Sequence, residues 1–291
     1  RHLPYRIQLI LKRWLKYYRN FRYQKKYSNL PAESTTIFNQ LKYNILVQPK
    51  EHLENGLLLI GYIKAENGMG EHVRSAYQAI CSAGISAEVM DFNSQVTARQ
   101  NDTSIKTTTV ANREINLFCV NAPQMPIIEA TLGRDFFDGR YNIGYWTWEL
   151  SKCPVTAQQS FKYPDELWAP SEFIRATFAS ATDLPVIHMP LAVFKPPFKL
   201  KPRGYFGLPP TGFIFLAAFD LSSYIERKNP FGMIEAFRRA FPNADQDQVW
   251  LVLKFIGHEQ QPGEIDRLRQ AARQIKNLIL IDTWFSSDET W

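Results

Sequence analysis

The chain has 291 residues, of which 45% are hydrophobic and 14% aromatic. This composition excludes a disordered protein and can bury cores for two domains of ordinary size. No run of about 18 uncharged apolar residues is present, so the sequence predicts neither a membrane-spanning helix nor a signal peptide. The three widely spaced cysteines, Cys81, Cys119 and Cys153, favour reduced thiols and a cytoplasmic protein.

The net charge of +6 comes from the first part of the chain. Residues 1–32 contain nine lysines and arginines and no acid. Their apolar residues recur at helical spacing: Leu3, Ile7, Ile10, Leu11, Trp14, Tyr18 and Phe21. This pattern fits a helix packed on another domain and equally a helix that binds the anionic inner face of a membrane peripherally through residues 1–26. An arm that binds nucleic acid is the rival interpretation, and we expect no nucleic acid as partner.

Residues 1–52 form this arm and a polar connector, and strands and helices alternate over residues 53–189. The sequence predicts strands at 57–63, 86–91, 115–120, 141–146, 166–169 and 186–188, and helices at 70–83, 124–132, 155–162 and 171–180. Such alternation indicates an α/β domain with a mainly parallel sheet covered on both faces. The polar residues 93–113 are expected at a sheet edge or over a cleft.

Six prolines mark residues 190–210 as an extended link between domains. Residues 211–291 then predict a βαβαβ unit with strands at 213–219, 249–255 and 278–282 and helices at 230–241 and 263–275. This is half of a doubly wound sheet, so we expect an incomplete second Rossmann-like domain.

The stretch LLLIGYIKAENGMGEHVRSAYQAI, residues 57–80, reads as a strand, a glycine-containing turn and a helix. Such a turn places free backbone N–H groups and the positive end of the helix dipole at Gly68 and Gly70, which suits an anion or a closely bound sugar. A tight turn that binds nothing would have the same sequence.

Four segments resemble the retaining GT-B glycosyltransferases of family 4. They are GYIKAENGMGEHVRSAYQAICSAGI, YNIGYWTWELSKCP, DELWAPSEFIRATF and FDLSSYIERKNPFGMIEAFRRAF. The resemblance implies two Rossmann-like domains and transfer of a sugar from a nucleotide-diphosphate donor to a glycan or lipid-linked acceptor, without a metal or other cofactor, in cell-surface polysaccharide synthesis. A glutamate pair that holds the donor in the family would follow Trp291, so the fragment alone is expected to be inactive.

The resemblance implies that Lys228 reaches the donor diphosphate. Arg227, Ser222, Ser223 and Asn229 accompany it where a strand end leads to a helix N-terminus, a position that suits phosphate. Many relatives carry an arginine nearer the strand end, where this chain has Asp220, so the phosphate contacts are expected to differ in detail.

Residues after the strand ends of the first domain are predicted to contact the acceptor or line the cleft. They are Gly68, Gly70, Glu71, Arg74, Asn121, Trp148, Glu149 and Ser171. Each of these polar side chains is equally compatible with a solvated surface, and the tryptophan with core packing. No residue is assigned as nucleophile or base.

Two other functions fit parts of the sequence. A dinucleotide-dependent oxidoreductase or epimerase needs the GxGxxG pattern and an acid after the next strand; here Arg74 stands near the third glycine position and Asp91 ends that strand. A module that binds a sugar or nucleotide without catalysis is the other alternative.

Overall fold

The structure is a computed structural model that describes residues 45–94, 96, 98–193, 199–221, 224–244, 246, 248–257, 262–285 and 289. The chain divides into two compact units, Arg1–Phe194 and Lys195–Trp291. The division falls within the link predicted at 190–210. The basic arm predicted at residues 1–26 lies outside the described residues, as do Ser222 and Ser223.

Unit 1 is built on a six-stranded parallel sheet with the strand order β3-β2-β5-β6-β7-β8. These strands are β2 (Glu54–Gly61), β3 (Ala87–Asp91), β5 (Arg113–Cys119), β6 (Tyr141–Tyr145), β7 (Glu166–Ala169) and β8 (Val186–His188). The helices are α1 (Gly68–Ser82), α2 (Met125–Leu132), α3 (Val155–Gln158) and α4 (Glu172–Ala179). A separate parallel pair consists of β1 (Leu46–Val47) and β4 (Val110–Ala111).

The central strands of unit 1 are buried on both faces. Leu58 and Ile60 of β2 pack into one apolar cluster, while Leu57 and Leu59 of the same strand pack into another on the opposite face. Apolar residues at every position of a strand are the pattern of a parallel sheet covered by helices on both sides. The α/β fold class predicted from the sequence is confirmed.

The order of strands reverses between β2 and β5. The chain passes from β2 outward to β3 and then crosses back to β5 on the other side of β2. In open α/β sheets, ligands bind beyond the carboxyl ends of the strands at such a switch point. Gly61 is paired with Cys119, so the carboxyl ends of β2 and β5 are level and the segments that follow them start side by side.

Unit 2 is a smaller Rossmann-like α/β unit. Its parallel strands have the order β11-β10-β9, with β9 (Phe213–Asp220), β10 (Val249–Ile256) and β11 (Leu278–Asp282). Its helices are α5 (Ile225–Lys228), α6 (Pro230–Ala240) and α7 (Pro262–Ala272). Phe215 of β9 packs against Phe237 and Phe241 at the end of α6, which fixes this helix on the sheet.

The structure departs from the predicted elements in a few places. Strand β2 starts at Glu54, before a register shift that separates it from Leu57. The helix predicted at 155–162 is an α-helix only to Gln158 and continues as a 3-10 helix, Gln159–Lys162. Strands β1 and β4 were not predicted, because two residues are too few for an alternating pattern.

The polar connection between β3 and β5 folds back on the turn that follows β2. The Glu66 N–H donates to the Arg99 carbonyl at 2.8 Å, and the Asp102 N–H donates to the Lys64 carbonyl at 3.2 Å.

None of the helices in the described ranges is long and apolar enough to cross a membrane.

Candidate functional site

The glycine turn before α1 is held by its own polar groups. The Asn67 side chain caps the helix by accepting a hydrogen bond from the Gly70 N–H at 2.9 Å. A Cβ atom at Gly70 would lie 1.9 Å from the Ala65 carbonyl oxygen, whereas one at Gly68 would meet nothing within 4 Å. Close packing therefore requires glycine at 70 but not at 68. The N–H groups of Gly68 and Met69 open the helix and have no acceptor within it, so they are available to a ligand.

Three segments that follow neighbouring strands meet at this turn. The Thr147 hydroxyl, after β6, lies 2.6 Å from Asn121 Oδ1, after β5, and 3.6 Å from Met69 Sδ in the turn after β2. These contacts surround the switch point of the sheet, which is where the topology favours a ligand. Asn121 therefore lies near Met69, the residue after Gly68, and the binding roles predicted for Gly68 and Asn121 stay predictions.

Thr147 was not among the residues predicted from the sequence. Its position carries a usable indication, because Asn121 is two residues beyond the end of β5 and Thr147 is two residues beyond the end of β6. Phe118 of β5 pairs with Gly144 of β6, so Asn121 and Thr147, each three residues further on, lie at the same height along the strand direction.

Arg74 holds the turn in place. Its Nη1 donates to the carbonyls of Ile63 at 2.7 Å and Ala65 at 3.0 Å. Its Nε lies 3.1 Å from a Glu71 carboxylate oxygen and 3.4 Å from one of Asp102. The acceptor contacts predicted for Arg74 and Glu71 stay predictions, but the structure already gives both side chains partners within unit 1.

The other predicted residues of unit 1 have separate surroundings. Ser171 caps α4 by accepting from the Ile174 N–H at 3.3 Å. The half-buried Trp148 donates from its indole nitrogen to the Lys152 carbonyl at 3.1 Å, and Glu149 is exposed. The predicted contacts of Ser171, Trp148 and Glu149 with the acceptor stay predictions.

A buried aromatic pair lies at the same end of the sheet. His72 of α1 packs edge-on against the Tyr145 ring, with 4.4 Å between ring centroids. Its nitrogens form no hydrogen bond with any residue in the described part of the chain, and burial lowers the pKa of His72 from 6.5 to about 4. The Tyr145 hydroxyl lies within 3.0 Å of both the Met189 and Pro190 carbonyls. His72 is therefore neutral at pH 7.

In unit 2, the predicted phosphate site follows β9. Lys228 ends the short helix α5, and Asn229 next to it adopts a left-handed conformation with φ of 48°. The Asn229 side chain caps α6 by accepting from the Gly232 N–H at 3.2 Å. Lys228 is half-buried, and its ammonium makes no ion pair or hydrogen bond with the residues that the structure describes. Arg227 is exposed.

This arrangement explains the sequence RKNP. Proline at the first position of α6 needs no hydrogen-bond acceptor there, and asparagine tolerates the left-handed conformation better than most residues. Lys228 directly precedes Asn229, the N-cap residue of an 11-residue helix, where the N–H of Phe231 has no intrahelical acceptor. A cation beside free helix N–H groups is suited to bind phosphate.

No family model matches the chain, and no curated protein matches it. Among solved structures, the chain is similar to the glycosylation-associated protein (Gap123) complex from Streptococcus agalactiae, with a TM-score of 0.37 and 10% identity. The match covers 76% of this chain and 39% of that chain. A likeness of this size carries no argument about activity.

Proposed function

We propose that the chain is part of a hexosyltransferase-type glycosyltransferase that moves a sugar from a nucleotide-diphosphate donor to a glycan or lipid-linked acceptor with retention of configuration. The observation that carries the proposal is the Lys228–Asn229–Pro230 turn, in which a half-buried cation without a partner among the described residues adjoins the capped N-terminus of α6. The resemblance of the sequence to family 4 enzymes supports the same assignment.

The proposed chemistry needs stabilisation of a leaving diphosphate. In glycosyl transfer the sugar carbon gains positive charge in an oxocarbenium-like transition state while the leaving group gains negative charge. Lys228 and the Phe231 N–H would stabilise that negative charge electrostatically. Arg227, Asn229 and the two serines at 222 and 223 are proposed to add donors around the diphosphate. We assign no base and no metal.

The switch point of unit 1 is proposed to bind carbohydrate. The Gly68 and Met69 N–H groups, the Asn121 carboxamide and the partly exposed Trp148 indole supply the donors and the aromatic face that sugars commonly contact. Arg74 is proposed to keep the turn rigid through its contacts with the Ile63 and Ala65 carbonyls. Rigid donors bind a hydroxyl more tightly because less ordering occurs on binding.

The dinucleotide-dependent function is the second candidate, and the surroundings of Asp91 disfavour it. In dinucleotide-binding folds the acid after the second strand accepts hydrogen bonds from the ribose. Here one Asp91 carboxylate oxygen lies 3.7 Å from Lys64 Nζ, and the side chain is only 12% exposed. Burial raises the pKa of Asp91.

Calorimetry with UDP, GDP and NAD tests the proposal. We expect UDP or GDP to bind, and Lys228→Ala to weaken that binding by roughly 10- to 100-fold, since it removes a charge-assisted hydrogen bond. Lys106→Ala, which removes an exposed lysine of unit 1, is the charge-matched control and should change nothing. Binding of NAD alone would favour the oxidoreductase, and nucleotide-sugar binding without turnover by the full-length protein would favour a binding module.

The basic arm is proposed to hold the protein on the inner face of the cytoplasmic membrane. Its cations and apolar stripe match the two forces that bind peripheral helices to anionic lipid. The chain should therefore sediment with vesicles that contain phosphatidylglycerol and not with vesicles of phosphatidylcholine alone. Equal sedimentation with both kinds of vesicle would contradict an electrostatic contribution.

A further inference from the structure

We propose that Thr147 is a positioning residue. It fixes the carboxamide of Asn121 so that the Asn121 NH2 group donates to an oxygen of the carbohydrate substrate. This assignment rests on the proposed function. Asn121 and Thr147 follow the adjacent strands β5 and β6 at level positions. Their side chains are in direct contact beside the glycine turn.

The distance between the two side chains sets the orientation of the amide. The 2.6 Å between Thr147 Oγ1 and Asn121 Oδ1 suits an O–H···O hydrogen bond, whereas N–H···O bonds are longer, about 2.9 Å. The single hydroxyl proton of Thr147 therefore goes to the amide oxygen, and Met69 Sδ at 3.6 Å is the weaker acceptor nearby. Since a carboxamide carries its acceptor and its donors on opposite arms, the NH2 group of Asn121 must point away from Thr147.

Several N–H donors are left open at this point of unit 1. Asn121 is half-buried, and its Nδ2 makes no hydrogen bond with a residue that the structure describes. The N–H groups of Gly68 and Met69 stand in the adjoining turn without an intrahelical acceptor. A ligand that satisfies all of these donors must present lone pairs, as hydroxyl, ring or carboxylate oxygens of a sugar do.

Thr147 thereby contributes to specificity without touching the substrate itself. If its hydroxyl were absent, the Asn121 amide could rotate by half a turn and present its oxygen instead, which would repel a ring or carboxylate oxygen and could only accept a hydrogen bond from a sugar hydroxyl. A site whose polar group is wrongly oriented loses affinity, because the partly buried group is left unpaired. Serine preserves the donor, whereas valine preserves only the shape of the side chain.

Nuclear magnetic resonance on the full ¹⁵N-labelled chain can test this role. The side-chain NH2 pair of Asn121 is identified by its loss in Asn121→Asp, and the probes are D-glucose, D-mannose and D-glucuronate. We expect at least one of them to shift this pair and the Gly68 and Met69 amides. Thr147→Ser should bind that sugar as the unsubstituted chain does, and Thr147→Val should bind it at least roughly tenfold more weakly, with other backbone resonances unchanged.

The variant Asn121→Asp gives a second test that does not depend on the folding of Thr147→Val. It keeps the acceptor for the Thr147 hydroxyl but has no N–H to donate, so sugar-induced shifts of the Gly68 and Met69 amides should vanish. Undiminished sugar binding by Asn121→Asp or by Thr147→Val would overturn the proposal. It would also be overturned if no sugar shifted the side-chain NH2 resonances of Asn121. If UDP or GDP still bound through Lys228 in that case, the proposed function would stand without this role for Thr147.

Discussion

His72 should make the stability of unit 1 depend on pH. Its side chain is 4% exposed, and burial lowers its pKa from 6.5 to about 4 because the charged imidazolium is disfavoured there. The unfolded chain takes up a proton near pH 6.5 and the folded chain only near 4. The stabilising effect of a neutral His72 is therefore complete above pH 6.5 and is lost as the pH falls towards 4. At 1.36 kcal/mol per pKa unit, the loss amounts to about 3 kcal/mol.

The variant His72→Phe isolates this effect. Phenylalanine keeps a ring against Tyr145 and removes no hydrogen bond to a described residue, but it cannot take up a proton. Urea unfolding between pH 7.5 and 4.5, followed through the buried methyl groups of Leu58 and Leu117, measures the stability of unit 1. The curve of His72→Phe against pH should be flatter than that of the unsubstituted chain. The exposed His52→Gln serves as control, and parallel curves for all three proteins would refute the reasoning.

Three further perturbations should separate the parts of the proposed site. In the complete enzyme, Lys228→Ala should reduce kcat/KM by about 30-fold, or about 2 kcal/mol of transition-state stabilisation; unchanged kinetics would mean that the phosphate site lies elsewhere. Gly70→Ala should lower the free energy of unfolding of unit 1 by roughly 1–3 kcal/mol because the turn must open, while Gly68→Ala should not. Equal urea midpoints for these two variants would contradict the close packing at Gly70. Deletion of residues 1–26 should abolish sedimentation with phosphatidylglycerol vesicles, and retained binding would remove the arm from the account.

The fold could be predicted because its determinants are local. Apolar runs such as Leu57 to Ile60, followed at once by a helical pattern, specify strand and helix without knowledge of the rest of the chain. The Rossmann-like class then follows from their alternation. The short pairing of β1 with β4 joins residues far apart in the sequence, and nothing in two residues indicates such a partner.

The site could be predicted only where backbone geometry leaves a trace in the sequence. Gly70 is required by the close Ala65 carbonyl, so the turn was visible as a motif. Which polar side chains meet there depends on the register between β5 and β6, which the sequence does not display. For that reason Asn121 was found without its partner Thr147, and the partners of Arg74 and the capping role of Ser171 could not be separated from contacts with substrate.

A crystal of the full chain soaked with a nucleotide sugar would locate the donor site. We expect the diphosphate within hydrogen-bond distance of Lys228 Nζ and the Phe231 N–H, at the N-terminus of α6. A ligand bound instead with its ribose on Asp91, or anywhere remote from the α5–α6 turn, would contradict this expectation.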